Sequence, residues 1–167
     1  MTEEYYEVVN VQIKTKALKL VIIILGLFIG FMFSLLVLGL IKSYQENDIY
    51  FVKILFYIAM YISLILSMIS NIIVYSILTL IDKDILFTEK AIKKISLVKK
   101  ISILTFFILI GIMPMVWHIV EITKVTGVIP VAIVIIVSPL ILSTFIGVME
   151  KLLMKIVQIK SENDLTV

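Results

Sequence analysis

The stretch LVIIILGLFIGFMFSLLVLGLI, residues 20–41, decides the fold. It runs for 22 residues without a charged side chain, and about 20 helical residues at about 1.5 Å each cross the ~30 Å of bilayer hydrocarbon. Three more uncharged apolar runs follow, Ile54 to Ile81, Ile101 to Val120 and Val125 to Met149, of 28, 20 and 25 residues. Each can cross. The expected class is an all-α membrane protein, a four-transmembrane-helix bundle.

Composition gives the same class. At 62% hydrophobic, 16% charged and a mean hydropathy of +1.19 over 167 residues, a soluble domain would carry more apolar surface than one core could bury. Four spans, short loops and short tails leave no room for a separate soluble module, so residues 1–167 are expected to form one integral membrane domain. The first run exceeds the apolar core of a signal peptide and no Ala-x-Ala-like site follows it, so it is expected to be retained. The absence of cysteine excludes disulfides, thiolate chemistry and palmitoylation.

All 15 basic residues are lysine, and all but Lys42, Lys53 and Lys124 lie before the first run, in the second loop or after the fourth run. Lysine beside a span resists translocation, which predicts a multi-pass protein of the cytoplasmic membrane with both termini and the second loop in the cytoplasm. The lysine-rich rim would attract anionic lipid headgroups, while lysines hugging the spans argue against direct nucleic-acid binding. Tyr44, Tyr50 and Trp117 would mark the opposite interface.

Small and polar residues recur at helical spacing within the first two runs. Gly26, Gly30 and Ser34 form one stripe; Ser63 and Ser67, with Ser70 and Asn71, form the other. In an antiparallel hairpin Gly26 meets the depth of Asn71, Gly30 that of Ser67, and Ser34 that of Ser63, so the stripes are expected to face each other. The same stripe could line a polar path. Asn71 needs a partner, with Thr105, Ser143, Thr144 and the backbone carbonyls of the first span as candidates. Pro114 and Pro139 remove the amides that would bond the carbonyls of Ile110 and Ile135, and both helices are expected to bend there.

No Asp, Glu, Lys or Arg lies inside a run, which disfavours ion-coupled transport. His118 and Glu121 supply too few ligands for a metal site. No hydrolase, phosphate-loop or metalloprotease motif occurs, and no enzyme activity or cofactor is expected.

The second loop reads Asp82-Lys83-Asp84-Ile85-Leu86-Phe87-Thr88-Glu89, with Thr88 a candidate N-cap. Beyond it Ala91, Ile92, Ile95 and Val98 share one side of a helix and Lys90, Lys93, Lys94 and Lys100 the other, the pattern of an amphipathic helix at the inner membrane surface. Lys99 falls on the apolar side. The fourth span is expected to continue as a helical tail, 150–167, whose stripe of Leu152, Leu153, Ile156, Val157 and Ile159 either docks a partner or folds back on the second-loop helix. Ahead of the first span, Val8 to Ile13 reads as another surface segment.

The ending Ile159-Lys160-Ser161-Glu162-Asn163-Asp164-Leu165-Thr166-Val167, the loop Asp82-Lys83-Asp84-x-Leu86-Phe87-Thr88-Glu89 and Gly111-x-x-Pro114 resemble the bacterial membrane proteins of domain-of-unknown-function family 2975. The resemblance implies a four-helix integral membrane protein, often encoded beside a small helix-turn-helix regulator. It supplies no catalytic residues. Two functional expectations result. The first is a regulatory protein that docks a cytosolic helix-turn-helix regulator through Phe87, Lys93, Lys94, Glu162, Asn163, Asp164 and Leu165. The alternative is a small transporter or self-immunity protein against a membrane-active peptide, which acts through the serine stripe and could be a homo-oligomer.

Overall fold

The computed structural model of the chain describes residues 2–82, 85 and 88–164, with the side chains of 15–82, 85 and 88–159. All regular structure among them is helical: α1 (Thr2–Gln45), α2 (Phe51–Ile81), α3 (Glu89–Leu109), α4 (Met113–Thr123) and α5 (Val128–Asp164), with a 3₁₀ turn, Ile110–Ile112, joining α3 to α4. Counting α3 and α4 as one path, four stretches are long and apolar enough to cross a membrane: Thr15–Gln45, Phe51–Ile81, Glu89–Thr123 and Val128–Ile159. Their mean hydropathies run from 2.2 to 3.0. Exposed Leu27, Phe28, Phe31 and Leu38 on α1 have no protein cover, which water would not tolerate and hydrocarbon does.

The helix ends follow local chemistry. Gln45 is followed by Asn47 at φ 52°, a left-handed conformation that asparagine accepts. There Asp48 N bonds Ser43 O at 3.0 Å and Asn47 N bonds Tyr44 O at 3.2 Å, the paired closure of a Schellman motif. Lys124, at φ 60°, ends α4 with a single closing bond, its amide on Val120 O at 2.9 Å. The left-handed residue delays the next helix, so the fourth span begins at Val128 and not at Val125. Pro130 sits in the first turn, where a missing amide costs nothing. Thr88 does cap α3, with extended backbone at φ −130°, but its hydroxyl bonds Ile85 O at 2.9 Å and not the helix amides.

The two proline sites resolve differently. Four residues before Pro114 the helix breaks into the 3₁₀ turn, and the Met113 amide takes the Ile110 carbonyl that proline leaves open. At Pro139 the helix continues as α5, and the Ser138 hydroxyl donates to Ile135 O at 2.9 Å, again the carbonyl that proline abandons. The deficit is met locally in both cases, as an apolar surround requires.

Packing is serial. α1 lies on α2, α2 on α3, and α3 on α5, while α4 touches α2 and α5. One packed cluster sits in the half of the bundle away from the lysine-rich loop, where Ala59, Leu109, Ile112 and Ile136 are buried together, and further buried residues, Leu78, Leu80, Ala91, Ile95, Val98 and Leu153, lie toward the lysine-rich end. A Cβ on Gly111 would stand 3.3 Å from Ala59 Cβ, so this glycine lets the broken helix come close to α2. α1 is the least integrated helix; none of its most apolar window is buried.

The first part of α3 is not a separate helix. It is collinear with the span, and Ala91, Ile95 and Val98 are buried inside the bundle. Likewise α5 runs on past Met149 beside α3, with Leu153 buried, so the tail folds back along the second-loop helix. Residues 2–14 prolong α1.

Candidate functional site at the lysine-rich end

Four antiparallel spans bring both ends of the chain and the second loop to one end of the bundle. There three lysines fasten three successive helix pairs. Lys19 on α1 pairs with Asp82 after α2, Lys94 on α3 donates to Ser76 on α2, and Lys99 on α3 pairs with Glu150 on α5. The side chain of Glu150 is only 9% exposed, and Ser96 also donates to it. Lys99, the lysine that fell on the apolar side of its helix, is the one with a nearly buried carboxylate to neutralise. Gly147, one turn before Glu150, leaves room for its stem, a Cβ there lying 3.4 Å from Lys99 Cδ. The hydrogen bond from Lys19, helped by one from Thr15, holds the Asp82 carboxyl below the usual carboxylate range.

No such link joins α1 to α5 among the described residues, and a cleft of about 360 Å³ lies between them. Its floor comes from α2 and α3, with Ser67, Ser70, Asn71, Ser102 and Thr105; Leu25 of α1 and Leu142 of α5 stand on its walls. No charged side chain lines it. Ser102, Thr105 and Ser138 bond carbonyls of their own helices at 2.9–3.0 Å. Asn71 Nδ2 donates to the Ile22 carbonyl of α1 at 3.1 Å, so a carbonyl of the first span is its partner. Among the described residues Ser67 and Ser70 alone of these hydroxyls make no hydrogen bond.

The two sequence stripes meet at one point. A Cβ on Gly26 would lie 2.9 Å from Asn71 Nδ2, whereas one on Gly30 would meet nothing within 4 Å. Ser34 is exposed and bonds Gly30 O at 3.0 Å, and buried Ser63 bonds Met60 O at 3.0 Å, each within its own helix. No hydrogen bond joins Gly30 to Ser67 or Ser34 to Ser63. Tyrosines take that interface instead: Tyr61 packs edge-on against Phe33 at 5.1 Å, and Tyr57 reaches Ser43 Oγ at 3.3 Å. The space beside Gly30, one turn away, is open.

Of the proposed docking residues, Lys93 is exposed and lies 3.9 Å from Glu89, while half-buried Lys94 is engaged with Ser76. Glu162, Asn163 and Asp164 continue α5, their side chains outside the description; Phe87 and Leu165 lie outside the described residues. At the opposite end Glu121 accepts from Trp117 Nε1 at 2.9 Å, and His118 packs on Tyr50 at 5.0 Å, so the two do not form a pair. Sequence reading missed the functions of Lys19, Ser76, Asp82 and Glu150. The available signal was a lysine on the wrong face of its helix together with a carboxylate directly after the last span.

An all-helical, four-span membrane protein is the class that this architecture defines. Within that class the chain belongs to the family described as "Protein of unknown function (DUF2975)", which it matches over residues 7–167. It is similar to the "Uncharacterized membrane protein YoaS" of Bacillus subtilis, at 29% identity over 120 residues, covering 72% of this chain and 75% of that protein. No solved structure matches it.

Proposed function

We propose that the protein is a non-enzymatic membrane regulator, oriented with its lysine-rich end in the cytoplasm, which holds a soluble helix-turn-helix regulator at that end. The supporting observation is that the Val128–Ile159 stretch, at 32 residues, is longer than the roughly 20 that crossing requires, and leaves Leu152, Ile156 and Ile159 exposed at the end where Lys90, Lys93 and Leu97 of α3 are also exposed. Membrane insertion alone requires no such apolar and basic surface, and an amphipathic partner helix would cover it. The Lys99 and Glu150 pair gives the surface a fixed shape, which spares a partner part of the ordering cost of binding. Anionic lipids would surround the same rim.

The test is co-purification. A small helix-turn-helix regulator, taken from a gene adjacent to one that encodes a member of this family, is expected to co-purify with the full chain from solubilised membranes and to be lost on truncation after Ile156. A regulator that never associates with membranes holding the full chain overturns the proposal. Labelling of Lys90 and Lys93 by a reagent confined to the cell exterior would overturn the orientation. The transport or immunity reading rests on the cleft and has less support. The polar floor occupies one half of the bundle, and the packed Ala59, Leu109, Ile112 and Ile136 cluster closes the other.

A further inference from the structure

We propose that the cleft between α1 and α5 is a binding site for an uncharged, carbonyl-bearing membrane lipid of the diacylglycerol type. Four observations carry the inference. The cleft has a volume of about 360 Å³, within the range of roughly 300–1,000 Å³ typical of small-molecule sites. Its walls, Leu25 and Leu142, are 50% and 57% exposed and belong to the surface that faces lipid, so a ligand enters sideways from the bilayer. Its lining has no charge to neutralise an ionic group. Its floor offers two hydroxyls, on Ser67 and Ser70, whose protons are not committed to their own helix.

That last point selects the chemistry. Serine in an apolar helix ordinarily bonds a carbonyl one turn back, as Ser102 does here at 3.0 Å, because hydrocarbon offers nothing better. A hydroxyl that lines a cleft and makes no such bond is a donor open to an acceptor oxygen. Depth then excludes ordinary phospholipid. Ser70 and Ser67 stand six and nine residues from Ser76, which Lys94 engages at the rim, so they lie about 9 Å and about 13 Å inside the lysine level. A phosphate would be held at that rim by Lys16 or Lys90, with its ester carbonyls too shallow to reach the serines. A lipid without a charged headgroup can sink its carbonyls to their level. The Asn71 carboxamide oxygen beside them can accept from the lipid's free hydroxyl.

The test uses the full chain in nanodiscs of phosphatidylcholine and phosphatidylglycerol that contain a trace of diacylglycerol with a photoreactive diazirine in one acyl chain. After irradiation, adducts mapped by mass spectrometry are expected to concentrate on cleft residues such as Ser67, Ser70 and Leu142. Unlabelled diacylglycerol should displace them and added phosphatidylglycerol should not. Replacing both serines, Ser67→Ala with Ser70→Ala, should lower the adduct yield about tenfold, the factor that two neutral hydrogen bonds carry. Adducts spread evenly over exposed α1, displacement by phosphatidylglycerol, or chain-to-chain crosslinks through these residues would overturn the proposal. So would wild-type yield in the double variant. The wild-type map decides by itself if that variant fails to fold.

Discussion

Gly26 and Gly30 occupy the same stripe of α1 one turn apart, yet alanine at the two positions should act in opposite directions. At Gly26 the new methyl would lie 2.9 Å from Asn71 Nδ2, and the amide must leave the Ile22 carbonyl that it bonds at 3.1 Å. An amide left without that partner costs about 1–3 kcal/mol. The helix itself gains about 0.5–1 kcal/mol when glycine becomes alanine. The net effect is a loss of about 1 kcal/mol. At Gly30 nothing lies within 4 Å of the new methyl, so only the gain of about 0.5–1 kcal/mol remains. The two variants should differ by about 2 kcal/mol, or roughly 4–8 °C in Tm for a chain of this size. Thermal unfolding in one detergent, read by loss of monodisperse protein, measures the difference. In an Asn71→Ala background the clash disappears, and Gly26→Ala should behave like Gly30→Ala. Equal shifts in the parent, or a Gly26→Ala cost that survives Asn71→Ala, would refute the packing argument.

Two further outcomes follow from the lysine contacts. Lys99→Met strands a carboxylate whose side chain is 9% exposed, and because the bond from Ser96 persists the cost should fall near the low end of the roughly 3–5 kcal/mol expected for a broken buried pair. Lys99→Met combined with Glu150→Leu should recover most of that loss in the same unfolding assay, and simple addition of the two single effects would count against the pair. Asp82 has its acidity raised by Lys19, so its contribution is complete above the ordinary carboxylate pKa and disappears as pH falls through the lower folded value. Protease access to the segment joining α2 and α3 should therefore rise only in that acidic window, and Lys19→Gln should give the open pattern at neutral pH.

The YoaS relative is described as a membrane protein, in keeping with the apolar runs of this chain. Span number was legible because hydrocarbon imposes a length and a charge rule on each segment separately. The break ahead of Pro114 was legible for a similar local reason: a missing amide must be compensated within one turn. Partner choice was not. Gly30 and Ser34 have the spacing of a packing stripe, but the ring contact between α1 and α2 near that level is made by Phe33 with Tyr61. Lys99 looked like a flaw in an amphipathic pattern until α5 brought Glu150 beside it.

The sequence by itself determined that four stretches are long and apolar enough to meet hydrocarbon, and that lysines gather at one end. Each of these is settled by a residue and its neighbours within a turn or two. Only the tertiary structure decided that α1 hangs on α2, that three lysines fasten successive helix pairs, and that a polar cleft remains between the two outer helices. Those outcomes depend on which side chains of distant segments share a depth and a facing direction, and helical periodicity fixes a direction only relative to its own axis.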